Sequence, residues 1–177
     1  MSLLARKEIE IKGLKVELSE TELKLSNGKE NLLVPILPRV EIIQNESTLK
    51  VNPVKGFEKK NANLGTVTKL LLNAVEGLTN KFVKKLRLVG TGYRAKKISD
   101  SKIELILGYS HPVVFELPKE VTYSIESNTL IVLQSIDKQK LGQVSANIRA
   151  KRPPNVYKGK GVLYDGEVIS LKDINKK

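Results

Sequence analysis

Two short glycine-rich motifs are the places where this sequence could do chemistry. Tyr157-Lys158-Gly159-Lys160-Gly161 alternates lysine with glycine. Ammonium groups then stand beside backbone N–H groups that no side chain shields, an arrangement suited to phosphate. Val89-Gly90-Thr91-Gly92-Tyr93-Arg94-Ala95 fits the loose G-x-G-x-x-G/A fingerprint, in which a tight turn sets a dinucleotide's pyrophosphate on a helix N-terminus. That chemistry would make the chain a nucleotide-dependent oxidoreductase using Gly90 and Gly92. It needs a helix directly after the motif, whereas Arg94–Leu107 alternates like a strand broken by a turn. The competing reading of the same glycines is a bend that re-aims a strand, leaving Arg94, Lys96 and Lys97 to meet phosphates.

Charge favours the second reading. From Lys138 to Tyr164 there are seven Lys or Arg and no Asp or Glu, and Gly77 to Ser99 is a second acid-free window, also with seven. Residues 1–76 hold 12 bases and 10 acids, net +2, and residues 77–177 hold 19 and 9, net +10. Uncancelled positive charge concentrated in one half attracts a polyanion: nucleic acid first, an anionic membrane second. The candidate contacts are Lys138, Lys140, Arg149, Lys151 and Arg152, then Tyr157, Lys158, Gly159, Lys160 and Gly161, with Arg94, Lys96 and Lys97 from the other window. Lys158 and Lys160 would neutralise phosphates, and Gly159 and Gly161 would let backbone N–H groups join in. The Tyr157 ring has two open roles, stacking on a base or anchoring the tail.

Other chemistries lack their parts. His111 is the sole histidine and there is no cysteine, so neither a multi-histidine metal site nor a disulfide framework can form. No cofactor and no catalytic residue is expected. Asn45-Glu46-Ser47 fits the glycosylation pattern, which has meaning only in a secreted chain. Met1 to Ile11 lacks the apolar region of a signal peptide, and no run approaches the ~18 apolar residues of a membrane span. A reducing cytoplasmic compartment fits, with no membrane partner.

The elements that would position these residues are mostly strands. Short alternating segments run through Glu8–Ile11, Lys15–Leu18, Glu22–Leu25, Asn31–Ile36, Val40–Ile43 and Thr48–Val51, with Asn27-Gly28 as a hairpin turn. Leu64, Val67, Leu71, Val75 and Leu78 recur at helical spacing, with Asn61 or Asn63 as the cap. Strands return at Phe82–Val89, Arg94–Ile98, Ile103–Leu107, Val113–Leu117, Val121–Ile125 and Thr129–Leu133. A second helix is expected from an Asp137 cap, burying Leu141, Val144 and Ile148 and ending at Pro153-Pro154. Leu37-Pro38-Arg39, Ser47-Thr48-Leu49 and Leu64-Gly65 recur as Leu117-Pro118-Lys119, Asn128-Thr129-Leu130 and Leu141-Gly142, at offsets of 80, 81 and 77 residues. The expected fold class is therefore α+β: two tandem duplicated domains, 1–81 and 82–177, each a small, mostly antiparallel sheet packed against one helix, with a basic C-terminal tail.

Several motifs in order carry a family resemblance. They are Lys84-Lys85-Leu86, Leu88 through Ala95, Leu107-Gly108-Tyr109-Ser110-His111-Pro112-Val113, Asp137-Lys138-Gln139, Gly142-Gln143-Val144 and Tyr157 through Val162. Over Leu64–Ile169 the chain resembles the universal large-subunit ribosomal protein family numbered six, in its bacterial form. The resemblance implies two similar α+β domains and an architectural role without catalysis. It also implies binding of large-subunit ribosomal RNA, chiefly by the second domain and tail. The implied location is near the sarcin–ricin loop and stalk base, among neighbouring ribosomal proteins and beside the landing site of translational GTPases. It implies a cytoplasmic ribosome, an organellar one being the alternative. There are departures. Pro154-Asn155-Val156 replaces a family Pro-Glu-Pro run, which should loosen the entry to the loop, and Leu163 stands where a base is common.

Overall fold

The computed structural model describes residues 8–11, 13–45, 47–54, 56 and 61–172. They fall into two compact units, Met1–Lys81 and Phe82–Lys177. Every strand pairing among the described residues is antiparallel.

The first unit contains β1 (Ile9–Glu10), β2 (Lys15–Leu18), β3 (Glu22–Ser26), β4 (Asn31–Pro35), β5 (Val40–Gln44), β6 (Thr48–Pro53) and α1 (Asn63–Thr79). Where one sheet was expected there are two, ordered β2-β3-β4 and β1-β6-β5. Alternation on β3 sends Leu23 and Leu25 inward, and α1 covers them with Leu64, Val67, Leu71 and Leu78. The Asn27-Gly28 turn forms as expected: Asn27 Oδ1 accepts from the Lys29 and Glu30 N–H groups, each at 3.0 Å. Neither candidate asparagine is the cap of α1. Ala62 holds that position, while Asn61 Oδ1 accepts from Asn63 N at 3.2 Å. Both amides instead reach the preceding turn, at Arg39 O and Pro38 O. Glu46, the middle of the glycosylation pattern, lies outside the described residues, as do residues 1–7 and 173–177.

The second unit contains β7 (Phe82–Val89), β8 (Arg94–Ser99), β9 (Lys102–Ile106), β10 (Val113–Glu116), β11 (Val121–Ser127), β12 (Leu130–Ser135), α2 (Lys138–Lys151) and β13 (Gly161–Tyr164). Its sheets are β10-β9-β8 and β11-β12-β7-β13. α2 starts as the sequence predicts: Asp137 accepts from Gln139 N at 2.8 Å and Lys140 N at 3.3 Å. Removing such a cap costs about 1 kcal/mol. Leu141, Val144 and Ile148 then bury against Leu86, Leu88, Ile131 and Leu133. Truncating a fully buried leucine of this kind costs about 2–5 kcal/mol. β13 is the element the sequence reading missed. What reads as basic tail turns back and pairs with β7, Gly161 opposite Val89 and Tyr164 opposite Leu86.

Candidate nucleic-acid interface

The two glycine motifs meet in space. β7 ends at Val89 and the chain turns through Gly90–Tyr93 into β8. β13 lies against β7, so the loop before it comes beside this turn, and Lys160 Nζ donates to Thr91 Oγ1 at 3.0 Å. The strand after Gly92 removes the dinucleotide reading, because no helix N-terminus faces the turn. Its space is also taken: a Cβ on Gly90 would stand 2.9 Å from three atoms of the Tyr93 ring, and one on Gly108 3.0 Å from the same ring. Gly90 and Gly108 are bare because Tyr93 lies between them.

Tyr93 in turn places Arg152. Its hydroxyl accepts from Arg152 Nε at 3.3 Å, and the guanidinium stacks 4.6 Å from the centre of the Tyr109 ring. Tyr109 is pinned by its hydroxyl, which donates to Lys151 O at 3.0 Å. The Tyr109 and Tyr93 hydroxyls hold the Arg152 pKa above its already high ordinary value, so this charge is permanent. Past Arg152, the Pro153–Tyr157 stretch lines an open groove of about 850 Å³, together with Tyr93, Tyr109, Lys158 and Lys160.

The loop is fastened rather than loose, contrary to the expectation for a missing proline. Asn155 Oδ1 accepts from Tyr157 N at 2.8 Å and Lys158 N at 3.1 Å, while Asn155 N donates to Lys160 O at 2.9 Å. The asparagine side chain thus stands in for a backbone turn. The glycines also do structural work. Gly159 N donates to Asn155 O at 2.8 Å, so its N–H is already engaged. Gly161 passes beneath the diproline, where a Cβ would come within 2.5 Å of Pro154 Cα. Lys172 N ties the end of the described residues to this loop by donating to Val156 O at 2.9 Å, and the Tyr157 ring beside it is 52% exposed.

The remaining candidates separate into three groups. Lys151 sits exposed at the end of α2, beside the groove. Lys138 and Lys140 occupy the first turn of α2, roughly 20 Å along the helix from Arg152 at 1.5 Å per residue. Lys138 Nζ lies 5.1 Å from the Phe82 ring, and Lys140 pairs with Glu120 at 2.7 Å, a bond that raises the lysine pKa and lowers the carboxyl's. On β8, Arg94 and Lys96 are exposed, whereas Lys97 is bound to Asp100, which holds the lysine pKa up. Arg149 is the clear correction. It is half-buried, pairs with Glu167 at 2.7 Å and lies 5.3 Å from the Tyr164 ring. Its neighbours make it a latch on the strand end, its charge already paired. Among the described residues no carboxylate pairs with Arg152, Lys158, Lys160, Lys151, Arg94 or Lys96. Tyr93, Thr91 and Tyr109 were missed by sequence reasoning. The repeated Gly-Tyr pair, Gly92-Tyr93 and Gly108-Tyr109, was the available signal. Among the described residues no cluster of possible metal ligands occurs, and no helix is long and apolar enough to cross a membrane.

The groove thus gathers a guanidinium, two lysines that pair with no carboxylate among the described residues, and partly exposed tyrosines on a small, basic, β-rich α+β frame. Comparison with known proteins gives the family. The family described as ribosomal protein L6 matches residues 89–165. Across 177 residues the chain is 41% identical to proteins named large ribosomal subunit protein uL6 from Burkholderia mallei, Burkholderia pseudomallei and Burkholderia vietnamiensis, covering 100% of this chain and of each relative. The chain belongs to the ribosomal protein L6 family.

Proposed function

We propose that the chain is a structural constituent of the large ribosomal subunit that binds large-subunit rRNA through residues 82–177. The observation that carries this reading is its full-length likeness to large-subunit proteins. The groove supplies a physical means: Lys158, Lys160 and Arg152 reach phosphates, and exposed Lys151 adds charge next to Arg152 in the chain. Arg94 and Lys96 on β8 form a second, smaller patch. The protein sits near the sarcin–ricin loop and stalk base, touching neighbouring ribosomal proteins and, transiently, translational GTPases, on the cytoplasmic ribosome. The shared order of a hairpin followed by a helix, β5–β6 with α1 and β11–β12 with α2, supports an origin by tandem duplication. The role is architectural, and RNA is held rather than altered.

Each phosphate neutralised steepens the salt dependence of binding by about 0.7–0.9 in log–log slope. The Lys158→Ala, Lys160→Ala double variant of the full chain should therefore bind large-subunit rRNA more weakly, with a slope shallower by about 1–2. Filter binding over a salt series measures it, and an unchanged slope would place the RNA elsewhere.

A further inference from the structure

We infer that the groove takes one unstacked nucleotide of RNA, its base laid on the Tyr157 ring and its flanking phosphates on Lys158 and Lys160. This rests on the RNA-binding reading above and adds the state of the RNA that is recognised. The first support is the way Tyr157 is presented. Its backbone N–H is locked to Asn155, yet its ring is 52% exposed and makes no hydrogen bond among the described residues. The hydrogen bond that ties Lys172 to this loop runs to Val156 O and does not use the ring hydroxyl. A hydrogen-bonded loop therefore places a half-exposed aromatic ring in the lining of the groove.

The second support is the rest of the lining. Tyr109 is 42% exposed, and Arg152 lies over its ring at 4.6 Å, so the same groove holds a second ring and a guanidinium plane. Bases stack on tyrosine rings and arginine planes whatever their identity. The groove's size points the same way. About 850 Å³ lies within the roughly 300–1,000 Å³ of sites that hold a single small molecule. A perfect A-form duplex keeps its bases stacked and is met mainly through its backbone and wide minor groove. Only a base swung out of the stack can enter. Recognition by stacking should tolerate any base, and the oxygen of the one amide side chain lining the groove, Asn155, is already engaged by the loop.

The test uses the full chain and two RNA probes: a short duplex carrying one unpaired adenosine, and the same duplex without it. Fluorescence anisotropy at fixed salt should show tighter binding of the bulged probe. Tyr157→Ala should weaken bulged binding by about 5- to 150-fold, the range for losing one base–aromatic stack, while leaving the salt slope unchanged. Tyr157→Phe should keep the preference. Equal affinity for both probes, or an undiminished preference in Tyr157→Ala, would overturn the inference while RNA binding itself stood. Failure of the wild-type chain to bind either probe would overturn the RNA-binding reading, and this inference with it.

Discussion

Gly161→Ala is the sharpest single-atom test of how the loop is built. The added methyl would stand 2.5 Å from Pro154 Cα and 2.8 Å from both Pro153 O and Pro154 N, at a φ of +153° that L side chains rarely adopt. All three neighbours are backbone, so no side chain can swing aside. Backbone strain of this kind costs about 1–3 kcal/mol, and overpacking a filled space about 1–3 kcal/mol. The sum is about 2–6 kcal/mol, and in a unit of this size each kcal/mol lowers Tm by about 4–8 °C. A loss of at least about 8 °C follows at the lower bound. The assay is unusually clean. The chain has no Trp, and all five tyrosines lie within residues 82–177, so intrinsic fluorescence reports the second unit alone. Gly92→Ala is the control, since its φ is +77° but nothing stands within 4 Å. It should cost only the backbone strain, about 1–2 kcal/mol. If Gly161→Ala melts no lower than Gly92→Ala, the close passage beneath the diproline is wrong.

Other perturbations separate structure from binding. Arg149→Ala should lower the urea midpoint by an amount equivalent to about 1–2 kcal/mol, by removing a half-buried charge-assisted bond, yet leave the salt slope of RNA binding unaltered. A shallower slope would make Arg149 a phosphate contact after all. Asn155→Ala should release the Tyr157 and Lys158 N–H groups and raise backbone hydrogen exchange at both positions, with little change in Tm; protected amides there would refute the side-chain turn. Hydrogen bonds from Lys97, Lys102 and Lys140 hold Asp100, Glu116 and Glu120 below the ordinary carboxylate range. A lowered carboxyl contributes its full stability above its unfolded pKa and loses it as pH falls through the folded value. Tyrosine-monitored Tm should therefore hold steady down to about pH 4.5 and decline below. The decline should be shallower in the Glu116→Gln, Glu120→Gln variant, and identical acid profiles would remove these pairs from the account.

What the sequence disclosed follows from how local each signal is. Strand alternation and the Asp137 cap are settled by residues within a few positions of one another, and both were legible. Leu141, Val144 and Ile148 were legible for the same reason, as one face of a 3.6-residue period. β13 was hidden because its residues are buried in succession rather than alternately, and because lysines and glycines precede it. The basic windows were legible as charge but not as surface. Glu120 and Glu167 lie outside the acid-free stretch in sequence, yet fold back onto Lys140 and Arg149. The Asn155 turn was misjudged because losing a proline suggests freedom, while an asparagine oxygen can replace that restraint with two hydrogen bonds.

The Tyr93 ring between Gly90 and Gly108 has a consequence for how this protein can change over generations. With the ring in place, a methyl at position 90 meets it at 2.9 Å. With a smaller side chain at 93 that clash is relieved, leaving only the backbone strain of a φ of +157°, but Arg152 has lost the hydroxyl that accepts from its Nε. Substitutions at 90 and 93 are therefore ordered in time: position 93 must shrink before position 90 can grow. The intermediate on that path carries a groove whose fixed cation keeps the Tyr109 ring but not the Tyr93 hydroxyl.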